Sequence, residues 1–216
     1  MIVNERIVTY MHSLEKANST VLEEIENQAH KDLVPIIRKE MESFLRVMLS
    51  VKRPKRILEL GTAIGYSAIL MSEYIDNDAS ITTIENYDKR IPAARENIKN
   101  AGKESVITML EGDALEIMPK LEDESFDFVF MDAAKAQYIN FLPHVIRLMK
   151  NGAVLITDNV LQEGDLIESK YVVRRRDRTI HKRMREYMEV VKNHPLLETT
   201  IVPIGDGITM SVKCEK

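Results

Sequence analysis

The chain has 216 residues, 44 % of them hydrophobic and 30 % charged, with a formal net charge of −4 and one cysteine, Cys214. These values fit a single domain, 1–216, with a substantial core; they exclude an internal disulfide, suit a reducing cytoplasm, and require any nucleic-acid surface to be local. No segment approaches the roughly 20 apolar residues of a membrane span, and Asn4, Glu5 and Arg6 interrupt the apolar run a signal peptide needs, so a cytoplasmic protein without a membrane partner is expected.

Residues 1–53 read as helices. Thr20 and Glu23 make a capping box ahead of V-L-E-E-I, and Ile37, Met41, Phe44, Leu45 and Met48 recur at helical spacing over 34–49, before Pro54 closes the segment. From 54 to 216 the pattern alternates. Strands are predicted at 57–60, 80–85, 106–110, 126–132 and 153–158, with helices between them at 67–74, 89–101, 114–121 and 139–148. Such alternation implies right-handed crossovers and a parallel sheet covered on both faces. Two last strands, 199–204 and 208–213, flank Gly205-Asp206-Gly207 as an antiparallel hairpin. The expected fold is therefore α/β: a doubly wound, mostly parallel seven-stranded sheet with a Rossmann-like core, an antiparallel C-terminal hairpin and N-terminal helices.

The first strand enters R-I-L-E-L-G-T-A-I-G-Y-S, residues 56–67. Glycines at Gly61 and Gly65 let the backbone approach a ligand, and the following helix presents unpaired N–H groups. A dinucleotide fingerprint needs glycine at its third position, where Ala63 stands, and Glu59 would repel a pyrophosphate but welcome an ammonium. S-adenosylmethionine carries an ammonium and no phosphate, and E-x-G-x-x-x-G resembles the first motif of class I methyltransferases. Glu85 ends the second strand, where a carboxylate can accept both ribose hydroxyls. Asp113 and the Ala114 amide follow the third strand and suit an adenine edge, while Ser67 suits the methionine carboxylate. Acids at three successive strand ends make one cofactor pocket a better account than coincidence.

The fourth strand ends at Asp132, the fifth at Asp158 and Asn159. Two carboxylates and an amide oxygen form an all-oxygen set for a hard divalent ion, Mg²⁺, Mn²⁺ or Ca²⁺, with about three positions left for water or substrate.

On Glu59, Gly61, Gly65-Tyr66-Ser67, Glu85, Gly112-Asp113-Ala114, Asp132-Ala133-Ala134-Lys135, Asp158-Asn159 and Gly205-Asp206-Gly207, the whole chain resembles the metal-dependent O-methyltransferases of the catechol and caffeoyl-CoA type. The resemblance implies that Asp132, Asp158 and Asn159 hold the ion, that Lys135 is the base with Asp132 beside it, that Ile37 and Asp132 join the cofactor set, and that the protein is a homodimer. One departure is Thr209, which stands where catechol enzymes carry a further acid, an argument against simple catechols.

Beyond Asp158-Asn159 the chain becomes basic: between Lys170 and Arg185 there are eight Lys or Arg residues and one acid. Lys170, Arg174, Arg175, Arg176, Arg178, Lys182 and Arg183 are the candidates for phosphate contact, on a nucleic acid or a CoA ester, against the alternative of a solvated helix face. The sequence most closely resembles bacterial tRNA 5-hydroxyuridine O-methyltransferases, which implies the wobble base of a tRNA anticodon loop as substrate. The 5-hydroxyl and 4-carbonyl oxygens of that base are neighbours, as a catechol's are, and a loop base is presented with little unstacking. A small catechol-like or acyl-CoA substrate, or a binding module without catalysis, are the alternatives.

Overall fold

The computed structural model describes residues 3–215. They gather into two compact units, Arg6–Ala114 and the remaining described residues. Seven strands form one sheet in the order β3-β2-β1-β4-β5-β7-β6, which is the mixed, Rossmann-like arrangement expected.

In the first unit, helices α1 (Glu5–Ser13), α2 (Thr20–Lys31) and α3 (Lys39–Lys52) precede β1 (Arg56–Leu60), α4 (Tyr66–Ser72), β2 (Ser80–Glu85), α5 (Ile91–Asn100) and β3 (Ile107–Glu111). The cap of α2 is Ser19 rather than Thr20: its backbone is extended and its hydroxyl accepts the Leu22 N–H. Helix α3 begins five residues later than the apolar spacing indicated. Pro35 biases the residue before it away from helical backbone, and the chain is still extended at Arg38. At its other end α3 runs to Lys52 and stops on Arg53 in the left-handed region, directly ahead of Pro54. Parallel pairing sets Glu59 opposite Thr83 and Glu85 opposite Glu111.

The second unit carries α6 (Ala114–Ile117), β4 (Phe126–Met131), α7 (Tyr138–Leu148), β5 (Met149–Thr157), α8 (Arg178–Asn193), β6 (Leu197–Val202) and β7 (Ile208–Lys213). The helix expected over 114–121 changes to a 3-10 turn at Met118–Lys120, because Pro119 has no N–H to continue it. Strand β5 starts four residues earlier than expected, and β6 two residues earlier. The parallel register of β4 and β5 pairs Met131 with Thr157, and β7 runs antiparallel to β5 with Thr209 opposite Thr157. The core is built on Phe126, Phe128, Phe130, Tyr138, Leu155 and Tyr187, each at most 2 % exposed. No helix among the described residues is long and apolar enough to cross a membrane.

Candidate active site

In the first unit, the loop between β1 and α4 turns through three positive φ angles: Gly61 (100°), Ala63 (48°) and Gly65 (85°). A side chain at Gly65 would meet neighbours only at ordinary van der Waals distance, so glycine is required there by backbone angle and not by space. The Gly61 and Thr62 N–H groups donate to Ile84 O (3.0 and 3.3 Å), Gly65 N–H donates to Thr62 O (2.8 Å), and Asn97 Nδ2 donates to Ile64 O (2.8 Å).

Glu85 does more than end its strand. Its Oε2 accepts the Ala63 N–H at 2.6 Å, and its Oε1 accepts the N–H groups of Asn86 (3.0 Å) and Tyr87 (2.9 Å). Three backbone donors thus fix the carboxylate, leaving lone-pair capacity for a further partner. Glu59 is wholly buried, and its two oxygens accept hydroxyls from Ser67 (2.5 Å) and Thr83 (2.5 Å). Thr83 in turn shares a hydrogen bond with Thr62 (2.6 Å). Ser67, expected to face a methionine carboxylate, lies in buried α4 and donates its hydroxyl to Glu59. The strand register places Thr83 there, a partner that spacing along the chain does not reveal. Asp113 is exposed in the turn after β3, and Ala114 is buried at the start of α6. Between them and the sheet, Gly112 (φ 134°) donates its N–H to Glu85 O (2.8 Å). Ile37 is buried just ahead of α3.

In the second unit, Asp132 and Asp158 each stand one residue beyond the paired ends of β4 and β5, and Asp158 N–H donates to Met131 O (3.0 Å). Asn159 lies in the left-handed region (φ 62°). Its Nδ2 donates to Asp132 Oδ1 (3.2 Å), its N–H donates to Asp158 Oδ1 (2.6 Å), and its Oδ1 accepts from Lys135 Nζ (3.1 Å). The three predicted metal ligands and the predicted base are therefore one hydrogen-bonded cluster.

Burial, with Asp132 close by, pushes the Asp158 carboxyl up to about 7, and burial pushes Asp132 up to about 6; Lys135 opposes both shifts. Two neighbouring acids lifted this far above the usual carboxylate range are short of positive charge, and their oxygens with Asn159 Oδ1 make a hard donor set that fits a divalent cation. No group of three or more His, Cys, Asp or Glu side chains suited to a metal occurs among the described residues, so the set depends on its asparagine.

Asp206, expected only as part of its glycine-flanked turn, belongs to this cluster. It is buried in the turn between β6 and β7, pairs with Lys135 Nζ at 3.6 Å, accepts the Glu163 N–H, and raises the Asp158 pKa further. Its carbonyl and that of Gly207 accept Leu161 N–H (3.0 Å) and Val160 N–H (2.9 Å), so the hairpin turn clamps the loop that carries Asn159. Thr209 is fully buried on β7, and the acid in the hairpin's turn is Asp206. The Gly-Asp-Gly turn was visible in the sequence, but its contact with the loop was not.

The basic stretch divides by use. Arg178 donates to Val173 O (3.3 Å) and Tyr171 O (3.4 Å), and Arg183 donates to Ala136 O (3.0 Å), next to Lys135. Lys170, Arg174, Arg175, Arg176 and Lys182 are exposed, as are Ile167, Tyr171 and Val172 beside them.

A family model described as O-methyltransferase matches residues 11–214. Caffeoyl-CoA O-methyltransferase 1 of Eucalyptus globulus is 32 % identical over 182 residues, which span 77 % of this chain and 70 % of that enzyme. Catechol O-methyltransferase of Niastella koreensis is 34 % identical over 128 residues, and the match covers 58 % of this chain and 58 % of that enzyme's length. A Staphylococcus aureus structure, provisionally described as a caffeoyl-CoA O-methyltransferase, superposes with a TM-score of 0.90 at 31 % identity, covering 97 % of this chain and 100 % of that one. An O-methyltransferase from Bacillus cereus, solved with S-adenosylhomocysteine, gives 0.84 at 25 % identity and covers 96 % and 97 %. The chain belongs to the O-methyltransferase family. Within it, the chain is an S-adenosylmethionine-dependent O-methyltransferase, similar to enzymes named for catechol and for caffeoyl-CoA.

Proposed function

We propose that this enzyme methylates one of two neighbouring oxygens on a small catechol-like or acyl-CoA substrate, with a divalent metal held by Asp132, Asp158 and Asn159. The observation that carries the reading is the hydrogen-bonded cluster in which Asn159 joins Asp132, Asp158 and Lys135, with burial raising both carboxyls. The two enzymes from Eucalyptus and Niastella support the substrate class.

A divalent ion in that set supplies a Lewis acid that favours the oxyanion of a bound hydroxyl. Lys135, having given up a proton to solvent, would take the hydroxyl proton on its neutral Nζ, with Asn159 and Asp206 holding the side chain in place. S-adenosylmethionine supplies a methyl group already activated by its sulfonium, so orientation is the protein's main contribution. For that purpose Glu85, Asp113 and the Ala114 amide would hold the nucleoside end, with Glu59, Gly61, Gly65, Ser67 and Ile37 shaping the pocket around it.

A second reading is favoured by one specific observation. Five cations of the basic stretch are exposed beside Tyr171, a surface suited to phosphates and stacked bases. On this reading the substrate is 5-hydroxyuridine at the wobble position of a tRNA, and the product is 5-methoxyuridine. A homodimer is also part of the proposal; the exposed stripe Ile7, Tyr10 and Met11 along α1, with Leu14 just beyond it, supports it.

One experiment separates the substrates. Purified protein with Mg²⁺ and methyl-labelled S-adenosylmethionine is offered caffeoyl-CoA, a simple catechol, and tRNA bearing 5-hydroxyuridine. Label on the small acceptors supports the first reading, label on tRNA alone the second, and label on none of them defeats both.

A further inference from the structure

Tyr66 is the first residue of α4, directly after Gly65, and its ring is 2 % exposed. Its hydroxyl donates to Glu42 Oε1 at 2.8 Å and accepts from Asn18 Nδ2 at 2.9 Å. Asn18 Nδ2 also donates to Glu42 Oε2 (3.0 Å), and Arg46 donates to Asn18 Oδ1 and to Glu42 Oε2 (3.3 Å). Lys39 Nζ approaches Glu42 Oε1 at 3.2 Å and Glu26 Oε2 at 2.5 Å. Glu42, 1 % exposed, is thereby satisfied on both oxygens by residues of the N-terminal segment and by one residue of the glycine loop's helix.

Packing alone does not call for this arrangement. A phenylalanine at 66 would fill the same space, and burying a carboxylate with a guanidinium is at best weakly stabilising compared with apolar packing. What such a hydrogen-bonded cluster adds is a fixed geometry, even with Arg46 Nε buried without a partner among the described residues. Here that geometry joins the segment 18–46 to the end of the loop whose backbone angles and Glu85 contact form the cofactor cradle.

We propose that Tyr66 is a positioning residue: through Glu42 and Asn18 it couples docking of the N-terminal segment to the conformation of the 61–65 loop, so that cofactor binding and ordering of residues 18–46 favour each other. The inference rests on S-adenosylmethionine occupying that loop. Coupling of this kind is reciprocal, because a ligand that prefers the loop as built also prefers the docked segment. Tyr66→Phe is a mild probe, since Glu42 keeps Asn18, Lys39 and Arg46 as partners and the ring still packs.

The test uses S-adenosylhomocysteine as the probe, with binding calorimetry and hydrogen exchange on the whole protein. In the wild type the ligand should slow exchange across residues 18–46. In Tyr66→Phe affinity should fall about tenfold, as expected for a hydrogen bond to a charged group, and the ligand-induced protection of 18–46 should shrink. The KM for S-adenosylmethionine should rise while kcat at saturation holds. Asn18→Ala should move affinity and protection in the same direction. Wild-type affinity and protection in both variants, with only a lower melting temperature, would reduce the cluster to packing and overturn the inference. Failure of the wild type itself to bind would instead overturn the reading of the loop, and the coupling with it.

Discussion

The Glu85 carboxylate accepts the Ala63 N–H at 2.6 Å, and Ala63 is held at a φ of 48°. A left-handed alanine costs about 1–2 kcal/mol, so this bond offsets strain in the loop while aiming the carboxylate. Glu85→Ala should therefore lose twice: S-adenosylhomocysteine affinity falls by at least about tenfold, and stability falls by about 1–3 kcal/mol as the backbone donors lose their acceptor. Calorimetry and urea unfolding measure the two. Unchanged affinity would remove Glu85 from the nucleoside end.

The acid pair predicts a pH dependence of definite sign. A carboxyl whose folded pKa lies above its ordinary 3.8 stabilises the fold at low pH, and that contribution is lost as pH rises through the folded value. With Asp132 near 6 and Asp158 near 7 against an unfolded value of 3.8, the metal-free protein should lose this contribution between about pH 4 and pH 7 and change little above that. Added Mg²⁺ or Mn²⁺ should raise the melting temperature more at the upper end than at the lower, because protons compete for the same oxygens. Asp158→Asn should flatten the pH profile of the metal-free protein. A profile identical to the wild type in that variant would place the titration elsewhere.

Gly207 has a φ of 77°, and a Cβ added there would run into the Leu161 side chain. Leu161 lies two residues beyond Asn159 and is held by the Asp206 carbonyl. Gly207→Ala should cost about 1–3 kcal/mol by overpacking, and should weaken Mn²⁺ binding by displacing the loop. Chemical denaturation and metal titration check the two effects separately.

The exposed arginines carry the tRNA reading. Replacing Arg174, Arg175 and Arg176 together by Ala should weaken tRNA binding and flatten the fall of log affinity with log salt. The slope should shrink by about 0.7 for each single-strand phosphate that is no longer neutralised. S-adenosylhomocysteine affinity should stay as it was. If tRNA affinity and its salt slope survive, the stretch is a solvated face and the small-molecule reading stands alone.

The alternation of strand and helix from residue 54 onward was legible because apolar runs bounded by Gly, Asp and Asn mark buried parallel strands. The meeting of Asp132 with Asp158 followed from the same pattern, since adjacent parallel strands end together. Helix α3 was misplaced at its start because apolar spacing continues through Ile36 and Ile37 while the Pro35 backbone does not. The contacts of Ser67 and Asp206 were not legible for another reason. Their partners, Glu59 and the Lys135–Glu163 region, are set by strand register and by the hairpin's fold-back, and neither leaves a trace in local spacing. The network of Asn18, Glu42, Arg46 and Tyr66 was invisible for the same reason, joining residues up to 48 positions apart.

The central claim is methyl transfer to one of two neighbouring oxygens with a metal on Asp132, Asp158 and Asn159. Its most direct test is the initial rate of label transfer from S-adenosylmethionine to the acceptor that the substrate comparison selects, in Mg²⁺ and in chelator, for the wild type and Asp158→Ala. The expected result is turnover by the wild type that chelator abolishes and Mg²⁺ restores, with Asp158→Ala at least about a hundredfold slower even in Mg²⁺. Equal rates in Mg²⁺ and in chelator, retained by Asp158→Ala, would contradict the account.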